Sequence, residues 1–573
     1  MSYFKTALLV GGVGPIYLLL VFVIGLAATR RWQCPQASPL ERATLALTAG
    51  LLLHSAATAI ALWWAPGWVG LALWVLAGVA AGSLLPKGMR VRGEGWAPVL
   101  WIVAYALVCM TLLLAAHYGP QRGATIFWTI YKLSYITPGD SPQAAFQAQY
   151  LLHGGQLNGM EGFALFDRPF LGGLITAGAL GAFGISLGAD FYQYSDAQAL
   201  AYTSLWIALN ASAALPLVAI AQRFATGPAL RVAVVLLLAS PFFVFNTIGL
   251  WPKLLALGIL GQAGLFAVRQ RYVAAALLSG TAFYLHGSYL WPHIALAGVM
   301  ILACLFLLRG RPGQAWPLVA AVAGVAVAFP ALWFAAEHLA GGASPLRTYY
   351  LYNVDVTYGF HHDAVETARQ FYRSTNPENL AALPLMNLLK GFLPIELLTL
   401  VLEFHLGADP IHWRTVGQAW FGTQFFRMWY ALCLTCAAVA FRGLFSVQGK
   451  RWLPRLALIA FMLLPLIPGT GLYRRDDHFL LNISMSAVLA LLVFLCIGLQ
   501  SLGARALHWV AGLALAEFAL VFLSRYPAAS SASEFRAFYV LAVLILLAVA
   551  AYLLFGARWS GLLAATAPET RHE

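Results

Sequence analysis

The sequence predicts an all-α integral membrane protein of about 15 transmembrane helices with two large extracytoplasmic loops. Of its 573 residues, 61% are hydrophobic and only 10% are charged, whereas a soluble domain carries about 25% charged residues. Apolar runs of roughly 20 residues, each long enough to cross a hydrocarbon core of about 30 Å, recur along the chain. A chain so poor in charge cannot cover itself with water-compatible surface, so its solvent must be lipid.

The predicted spans alternate with short connections. They are 7–28, 43–63, 67–85, 97–116, 199–221, 228–247, 251–268, 273–290, 292–308, 315–338, 428–445, 453–470, 479–500, 506–524 and 536–555. Two longer connections, 117–198 and 339–427, form the large outer loops. The chain therefore divides into N-terminal helices (1–96), a core with the first outer loop (97–338), the second outer loop (339–427) and C-terminal helices (428–573).

The net charge of +13 comes largely from basic residues in alternate connections, as the positive-inside rule requires of cytoplasmic loops. These residues are Arg30, Arg31, Lys87, Arg90, Arg92, Arg223, Arg231, Arg269, Arg271, Arg309, Arg311, Arg442, Lys450, Arg451, Arg455, Arg505 and Arg558. The pattern places the N-terminus outside and the C-terminus inside. It also argues against nucleic acid as a partner, since no basic amphipathic face accompanies the charge.

Residues 169–188 are apolar enough to span, yet a crossing there would reverse every later connection and place arginine-rich turns outside. We therefore predict a juxtamembrane or re-entrant helix that stays on the outer side. Its glycines and other small residues suit close packing against neighbouring helices.

The first outer loop contains a helix signal followed by a charged step. Asp140 or Ser141 can cap a helix with Pro142 in its first turn, and Gly154 can end it. Farther along, Asp167-Arg168-Pro169-Phe170 leads into the apolar segment. This combination, over roughly 97–290, resembles the GT-C superfamily of polytopic glycosyltransferases, which use polyprenyl-phosphate sugars and include protein O-mannosyltransferases and the aminoarabinose transferase of lipid A.

This chain departs from that family in two features. Phe170 stands where a second proline is common, and three extra helices precede the one that resembles the family's first. The resemblance implies that Asp140 is catalytic, because in the family an Asp early in the first outer loop has this role. The structural alternatives are that Asp140 only caps a helix, and that Asp167 and Arg168 only form a turn and are not catalytic or substrate-orienting groups.

A lipid phosphate leaving group needs basic residues near the outer surface. Lys253, predicted in an outer turn, is one candidate, although a lysine can also extend to the headgroups. The other candidates are His286 and a charged cluster in a late outer turn. The cluster comprises Arg474, Arg475, Asp476 and His478, together with Asp477. Adjacent arginines can bind a phosphate bidentately. The alternatives are that the cluster is only a salt-bridged surface loop and that His286 is only a packing residue.

Metal and cofactor signals are weak. His362 and Glu366 have an i, i+4 spacing that can bind a divalent metal, but a solvated helix face explains the pair equally well. No cofactor is expected. Asn210 lies in a predicted span and is interpreted as a packing residue despite its N-x-S sequon.

The resemblance implies an inverting transfer of a sugar from a polyprenyl-phosphate donor to a glycan, lipid or protein acceptor, in cell-envelope glycan or glycolipid modification. The expected location is a bacterial inner (plasma) membrane, with the active site on the extracytoplasmic side. A lipid-linked sugar transporter or flippase remains an alternative, as does a polysaccharide polymerase or ligase that uses a pyrophosphate-linked oligosaccharide. A transporter would carry ionisable residues and broken helices at the bilayer midplane.

Overall fold

The computed structural model describes residues 10–30, 38–84, 96–117, 143–153, 169–187, 194–308, 311–339, 480–529 and 536–555, with a few isolated positions. Within these ranges the fold is helical, with short 3₁₀ turns and no strands. The all-helical class predicted from the sequence is therefore confirmed.

The described residues form 17 α-helices. They are α1 (Val13–Thr29), α2 (Pro39–Trp64), α3 (Val69–Leu84), α4 (Trp96–His117), α5 (Gln143–His153), α6 (Leu171–Ala182), α7 (Asp196–Ala211), α8 (Ala214–Phe224), α9 (Gly227–Leu238), α10 (Pro241–Ile248), α11 (Lys253–Val268), α12 (Tyr272–Leu285), α13 (Leu290–Leu307), α14 (Pro312–Leu339), α15 (Leu480–Gln500), α16 (Ala504–Ala529) and α17 (Arg536–Phe555).

Six helices in the described ranges are long and apolar enough to cross a membrane, or seven if α9 and α10, bent by 45°, form one span. They are Pro39–Trp64, Pro66–Leu84, Trp96–Ala116, Asp196–Phe224, Gly287–Phe306 and Pro312–Ala336. A helical membrane protein is thus supported, but about 15 spans are not confirmed. Several predicted spans form helices of only 14 to 17 residues. The predicted spans 428–445 and 453–470 lie outside the described ranges except for isolated positions.

The chain forms two compact units. Unit 1 comprises Met1–Glu161, Phe170–Gln262 and Leu499–Glu573, and unit 2 comprises Gly162–Pro169 and Ala263–Gly498. In unit 1, α7 and α8 form one 29-residue span that is buried inside the protein. A capping box between Ser195 and Gln198 begins α7, because the serine hydroxyl and the glutamine side chain satisfy backbone N–H groups at the helix start.

The first three helices, α1 to α3, belong to unit 1. The central helix of this unit is α7, which continues into α8. Helix α1 contacts α2, α3 and α7, while α6 contacts α2, α3 and α7. Gly25 and Gly50 allow α1 and α2 to approach backbone to backbone, since a Cβ at either position would overlap main-chain atoms of the other helix. The three extra N-terminal helices therefore belong to the same unit as the part of the predicted core that ends at Gln262.

Basic connections of unit 1 meet at one end of its helices. Arg30 Nη1 donates to the Ser83 carbonyl at 2.9 Å, and Arg223 Nη2 lies 2.9 Å from Glu41 Oε1. The Thr226 backbone N–H donates to Gln500 Oε1 at 2.8 Å. This convergence agrees with the alternation of basic turns in the sequence, while the side of the membrane on which they lie stays a prediction.

In unit 2, α12, α13 and α14 pack against one another in pairs. Their shared core comprises Tyr272, Ala275, Ala276, Ala297, Met300, Cys304 and Val322. Small residues predominate, as expected where helices associate closely in lipid.

Candidate functional site

Helix α5 follows Asp140 by three residues in the sequence and is more deeply buried than an amphipathic surface helix. Every residue from Gln143 to Gln149 is buried, including the three glutamines at 143, 147 and 149. The predicted helix is confirmed, and it ends before Gly154 as expected. Three primary amides buried in an apolar bundle require hydrogen-bond partners, so this helix places hydrogen-bonding side chains in the protein interior.

The N-terminus of α5 points at the central helix. The Tyr202 hydroxyl of α7 accepts hydrogen bonds from the backbone N–H groups of Ala144 and Ala145. Such N–H groups in the first turn have no partner within their own helix. Gly173 brings α6 against the same turns, because a Cβ there would lie only 2.5 Å from Gln147 Cβ.

Helix α6 has 12 residues, about 18 Å of helical rise, which is too short to cross a hydrocarbon core of about 30 Å. Its C-terminal Ala182 carbonyl accepts a hydrogen bond of 2.7 Å from Trp74 Nε1, near the start of α3. Nearer its N-terminus, Thr176 Oγ1 accepts from Trp206 Nε1 at 3.1 Å, well inside α7. Helix α6 thus enters the bundle with its N-terminus deeper than its C-terminus, which favours the re-entrant form of the prediction for 169–188.

Gly178 of α6 lies against a buried polar pair in α1 and α2. Tyr17 Oη and His54 Nδ1 are 2.8 Å apart, and a Cβ at Gly178 would lie 2.6 Å from His54 Cε1 and overlap the Thr58 hydroxyl. We expect Gly178→Ala to lower the melting temperature by about 1–3 °C, because overpacking costs about 1–3 kcal/mol and the entropy of unfolding is large for a chain of this length.

The matched control is Gly78→Ala in α3, where an added Cβ meets nothing within 4 Å. Alanine is the better helix former, so this variant should keep or slightly raise the melting temperature. Thermal unfolding of the two purified variants, followed by circular dichroism, compares them directly. Equal melting temperatures would show that α6 does not depend on close approach to His54.

Lys253 is the first residue of α11, as predicted, but it does not extend to the surface. Its side chain is fully buried, and its Nζ lies 3.2 Å from the centroid of the Trp251 ring. An ammonium over an indole face is a favourable cation–π contact, stronger when removed from water. The alternative of a lysine that merely reaches the headgroups does not fit this burial.

Asn210 of α7 forms hydrogen bonds on both sides of the corner between α10 and α11, where Lys253 lies. Its Oδ1 accepts the Leu255 N–H at 3.3 Å and its Nδ2 donates to the Asn246 carbonyl at 3.3 Å. The side chain therefore joins the end of α10 to the first turn of α11. Leu250, also buried, has φ +60°, a conformation that is strained for a branched residue and is concentrated at functional sites.

The depth of this corner follows from helical rise. Asn210 lies about 20 Å from the Arg223–Glu41 ion pair along α7 and α8. Trp63 and Trp64, 85% and 82% exposed at the far end of α2, lie about 33 Å from Glu41. Lys253 is consequently roughly 10 Å below the level of these tryptophans, which typically mark the membrane interface.

Tyr202, Trp206 and Asn210 recur every four residues along α7, so they line one face of it. Tyr202 meets the N-terminus of α5 and Asn210 meets the N-terminus of α11. Two helix N-termini thus face the same side of α7, about 12 Å apart along its axis. A helix N-terminus carries a partial positive charge, and the Lys253 amine lies at the second of these N-termini. This side of α7, with the two N-termini and Lys253, is here called the α7 face.

His286 belongs to unit 2 and forms part of a corner between α12 and α13. Its Nδ1 accepts the Ser288 N–H at 3.2 Å and lies 2.8 Å from Ser288 Oγ. The ring therefore caps the 3₁₀ turn Gly287–Tyr289. This agrees with the structural alternative for His286, and its substrate-binding role stays a prediction.

The remaining predicted site residues lie outside the described ranges. They are Asp140, Asp167, Arg168, His362, Glu366, Arg474, Arg475, Asp476 and His478. Among the described residues no group of three metal-ligating side chains is assembled. His54 was not predicted as a notable residue and Asn210 was predicted only as a packing residue, although polar residues inside apolar runs were a usable signal for both.

Comparison with protein-family models, with curated proteins and with solved structures gives no match for this chain.

Proposed function

We propose that this protein is a membrane glycosyltransferase that moves a sugar from a polyprenyl-phosphate donor to an acceptor on the extracytoplasmic face. The observation that carries the proposal is the α7 face, where buried Lys253 and the N-termini of α5 and α11 are grouped. Asp140 precedes the first residue of α5 by three positions in the sequence, and the proposal assigns it the role of the base.

In the proposed reaction Asp140 removes the proton from the acceptor hydroxyl or amine. The acceptor lone pair forms a bond to the anomeric carbon while the bond from that carbon to the phosphate oxygen breaks. The lipid phosphate leaves with the bonding electrons, and the anomeric configuration inverts. Because negative charge grows on the phosphate during this step, Lys253 and the helix N-termini stabilise the transition state more than the ground state.

The other predicted residues have supporting roles. The sequence prediction assigns bidentate phosphate binding to Arg474 and Arg475, with Asp476 and His478 setting their orientation. Asp167 and Arg168 orient donor or acceptor at the entrance to α6. The acceptor is a glycan, lipid or protein of the cell envelope, and the chemistry requires no cofactor.

The test is the identity of the lipid that co-purifies with the protein, determined by mass spectrometry. A polyprenyl monophosphate, with or without a sugar, is the expected result, and it should be lost from Lys253→Met. A pyrophosphate-linked oligosaccharide would instead favour the polymerase or ligase. If purified protein neither retains a polyprenyl phosphate nor transfers sugar from one, the proposal is wrong.

A lipid-linked sugar transporter is the second candidate, favoured by a specific observation. Lys253 is buried at the start of α11, after a 45° bend between α9 and α10, and transporters place charges and broken helices at such depths. Proteoliposomes with a fluorescent polyprenyl-phosphate sugar separate the two. A transporter moves the lipid between leaflets and leaves the sugar attached, whereas a transferase consumes it once an acceptor is supplied.

A further inference from the structure

The span predicted at 228–247 is interrupted between α9 and α10. Helix α9 ends at Leu238, and α10 begins at Pro241 after a bend of 45°. The last carbonyls of a helix have no donor within that helix, and a proline at the start of α10 has no N–H to offer them. Where lipid and protein replace water, such groups need partners from side chains. Residues 238–241 are here called the α9–α10 break.

Ser240 forms hydrogen bonds on both sides of the α9–α10 break. Its side chain is buried, and its Oγ donates to the Leu237 carbonyl at 2.8 Å. The same oxygen accepts the Phe243 N–H at 3.1 Å, as the side chain of an N-cap serine does. Ser240 therefore favours a separate start for α10 over one continuous helix.

Tyr105 of α4 contacts the α9–α10 break from a distant part of the chain. Its Oη donates to the Leu238 carbonyl at 2.8 Å, across a separation of 133 residues. Its ring centroid lies 5.9 Å from that of Phe243, within the range of an aromatic pair. One side chain thus contacts the last residue of α9 and the first turn of α10.

Helix α10 leads from this break to the corner where Lys253 lies. It has only eight residues, about 12 Å of helical rise. Near its far end the Asn246 carbonyl accepts a hydrogen bond from Asn210 Nδ2 at 3.3 Å, and Asn210 Oδ1 accepts the Leu255 N–H at 3.3 Å. A change of about 10° in the direction of α10 would move this end by about 2 Å. The position of Lys253 therefore depends on how α10 leaves the break.

We propose that Tyr105 is a positioning residue that fixes the direction of α10 and, through Asn210, the place of Lys253. Its hydroxyl gives the Leu238 carbonyl a donor at the point where α9 ends, and its ring supports the first turn of α10. The effect on sugar transfer rests on the proposed function, since it acts through Lys253. The effect on the α9–α10 break does not depend on the substrate.

Tyr105→Phe keeps the ring and removes only the hydroxyl, so it should loosen the break locally. Amide hydrogen exchange over residues 242–249, measured by mass spectrometry, should be at least about fivefold faster than in the parent protein. The double variant Ser240→Ala/Pro241→Ala removes the cap and restores an N–H at 241. The helical ladder can then run through the break and supply the Leu238 carbonyl. In that background Tyr105→Phe should change exchange by less than about twofold.

Tyr284→Phe is the matched control. Tyr284 Oη also donates to a backbone carbonyl, that of Phe329, at 3.1 Å, but this bond belongs to unit 2. Its removal should leave exchange over 242–249 unchanged in both backgrounds. Unchanged exchange in Tyr105→Phe, or equal acceleration with and without Ser240→Ala/Pro241→Ala, would overturn the proposal.

Donor titration tests the step from the break to Lys253. Tyr105→Phe should raise the donor concentration that gives half-maximal transfer at least about threefold, and leave that of the acceptor unchanged. Faster exchange with normal donor kinetics would overturn the role of Tyr105 in placing Lys253. If the parent protein transfers no sugar, the proposed function is wrong, and the exchange measurements still decide whether Tyr105 fixes α10.

Discussion

Replacing Lys253 by methionine is expected to reduce sugar transfer by about 100-fold or more while leaving the melting temperature unchanged or higher. The lysine is fully buried against Trp251, and burying an ammonium is costly unless it is well compensated. Methionine has a similar length, fills the same space and packs well on an aromatic ring. A residue that costs stability yet is required for activity has a functional role.

Two variants complete the experiment. Lys253→Arg keeps the charge and should retain part of the donor affinity, whereas Lys253→Met should weaken donor binding more than acceptor binding. Arg271→Met removes an exposed cation from the turn after α11 and should leave transfer unchanged. The measurement is donor titration with purified protein in nanodiscs. Unchanged donor affinity and turnover in Lys253→Met would limit Lys253 to packing.

Asp140→Asn is expected to lower turnover by about 10²-fold or more, because asparagine cannot accept the acceptor's proton. Asparagine caps a helix about as well as aspartate does, so α5 should keep its stability. The substitution therefore separates the catalytic role from the capping role. Asp140→Ala should instead lose both activity and about 1 kcal/mol of stability.

The pair is assayed by single-turnover transfer and by thermal unfolding. Donor binding should survive in Asp140→Asn, since the proposed phosphate contacts come from other residues. Full retention of transfer by Asp140→Asn would remove this carboxylate from the mechanism. Loss of stability in Asp140→Ala alone, with normal turnover in both variants, would leave Asp140 as a helix cap alone.

Much of the helical framework was predictable because each apolar run is a local property of the chain. The predicted span 97–116 corresponds to α4 at Trp96–His117, and 315–338 corresponds to α14 at Pro312–Leu339. Helix α5 was predictable from Pro142 and Gly154, which act on the backbone within a turn. The same logic failed where a helix stops inside a predicted span, as at Ala239 and Ser240 within 228–247 and at His286 within 273–290, because tertiary contacts decide those breaks.

For the candidate site, the sequence by itself determined that lipid is the solvent and that Lys253 begins a helix, since composition and local periodicity suffice for both. Only the tertiary structure decided that Lys253 is buried, that Asn210 joins α10 to α11, and that α5 and α11 point at one face of α7. The physical reason is that a polar side chain in lipid must find its partner on another helix. Which helix supplies that partner depends on packing between segments far apart in the chain, as for Thr48 and Gln262 at a separation of 214 residues, and not on neighbours along the chain.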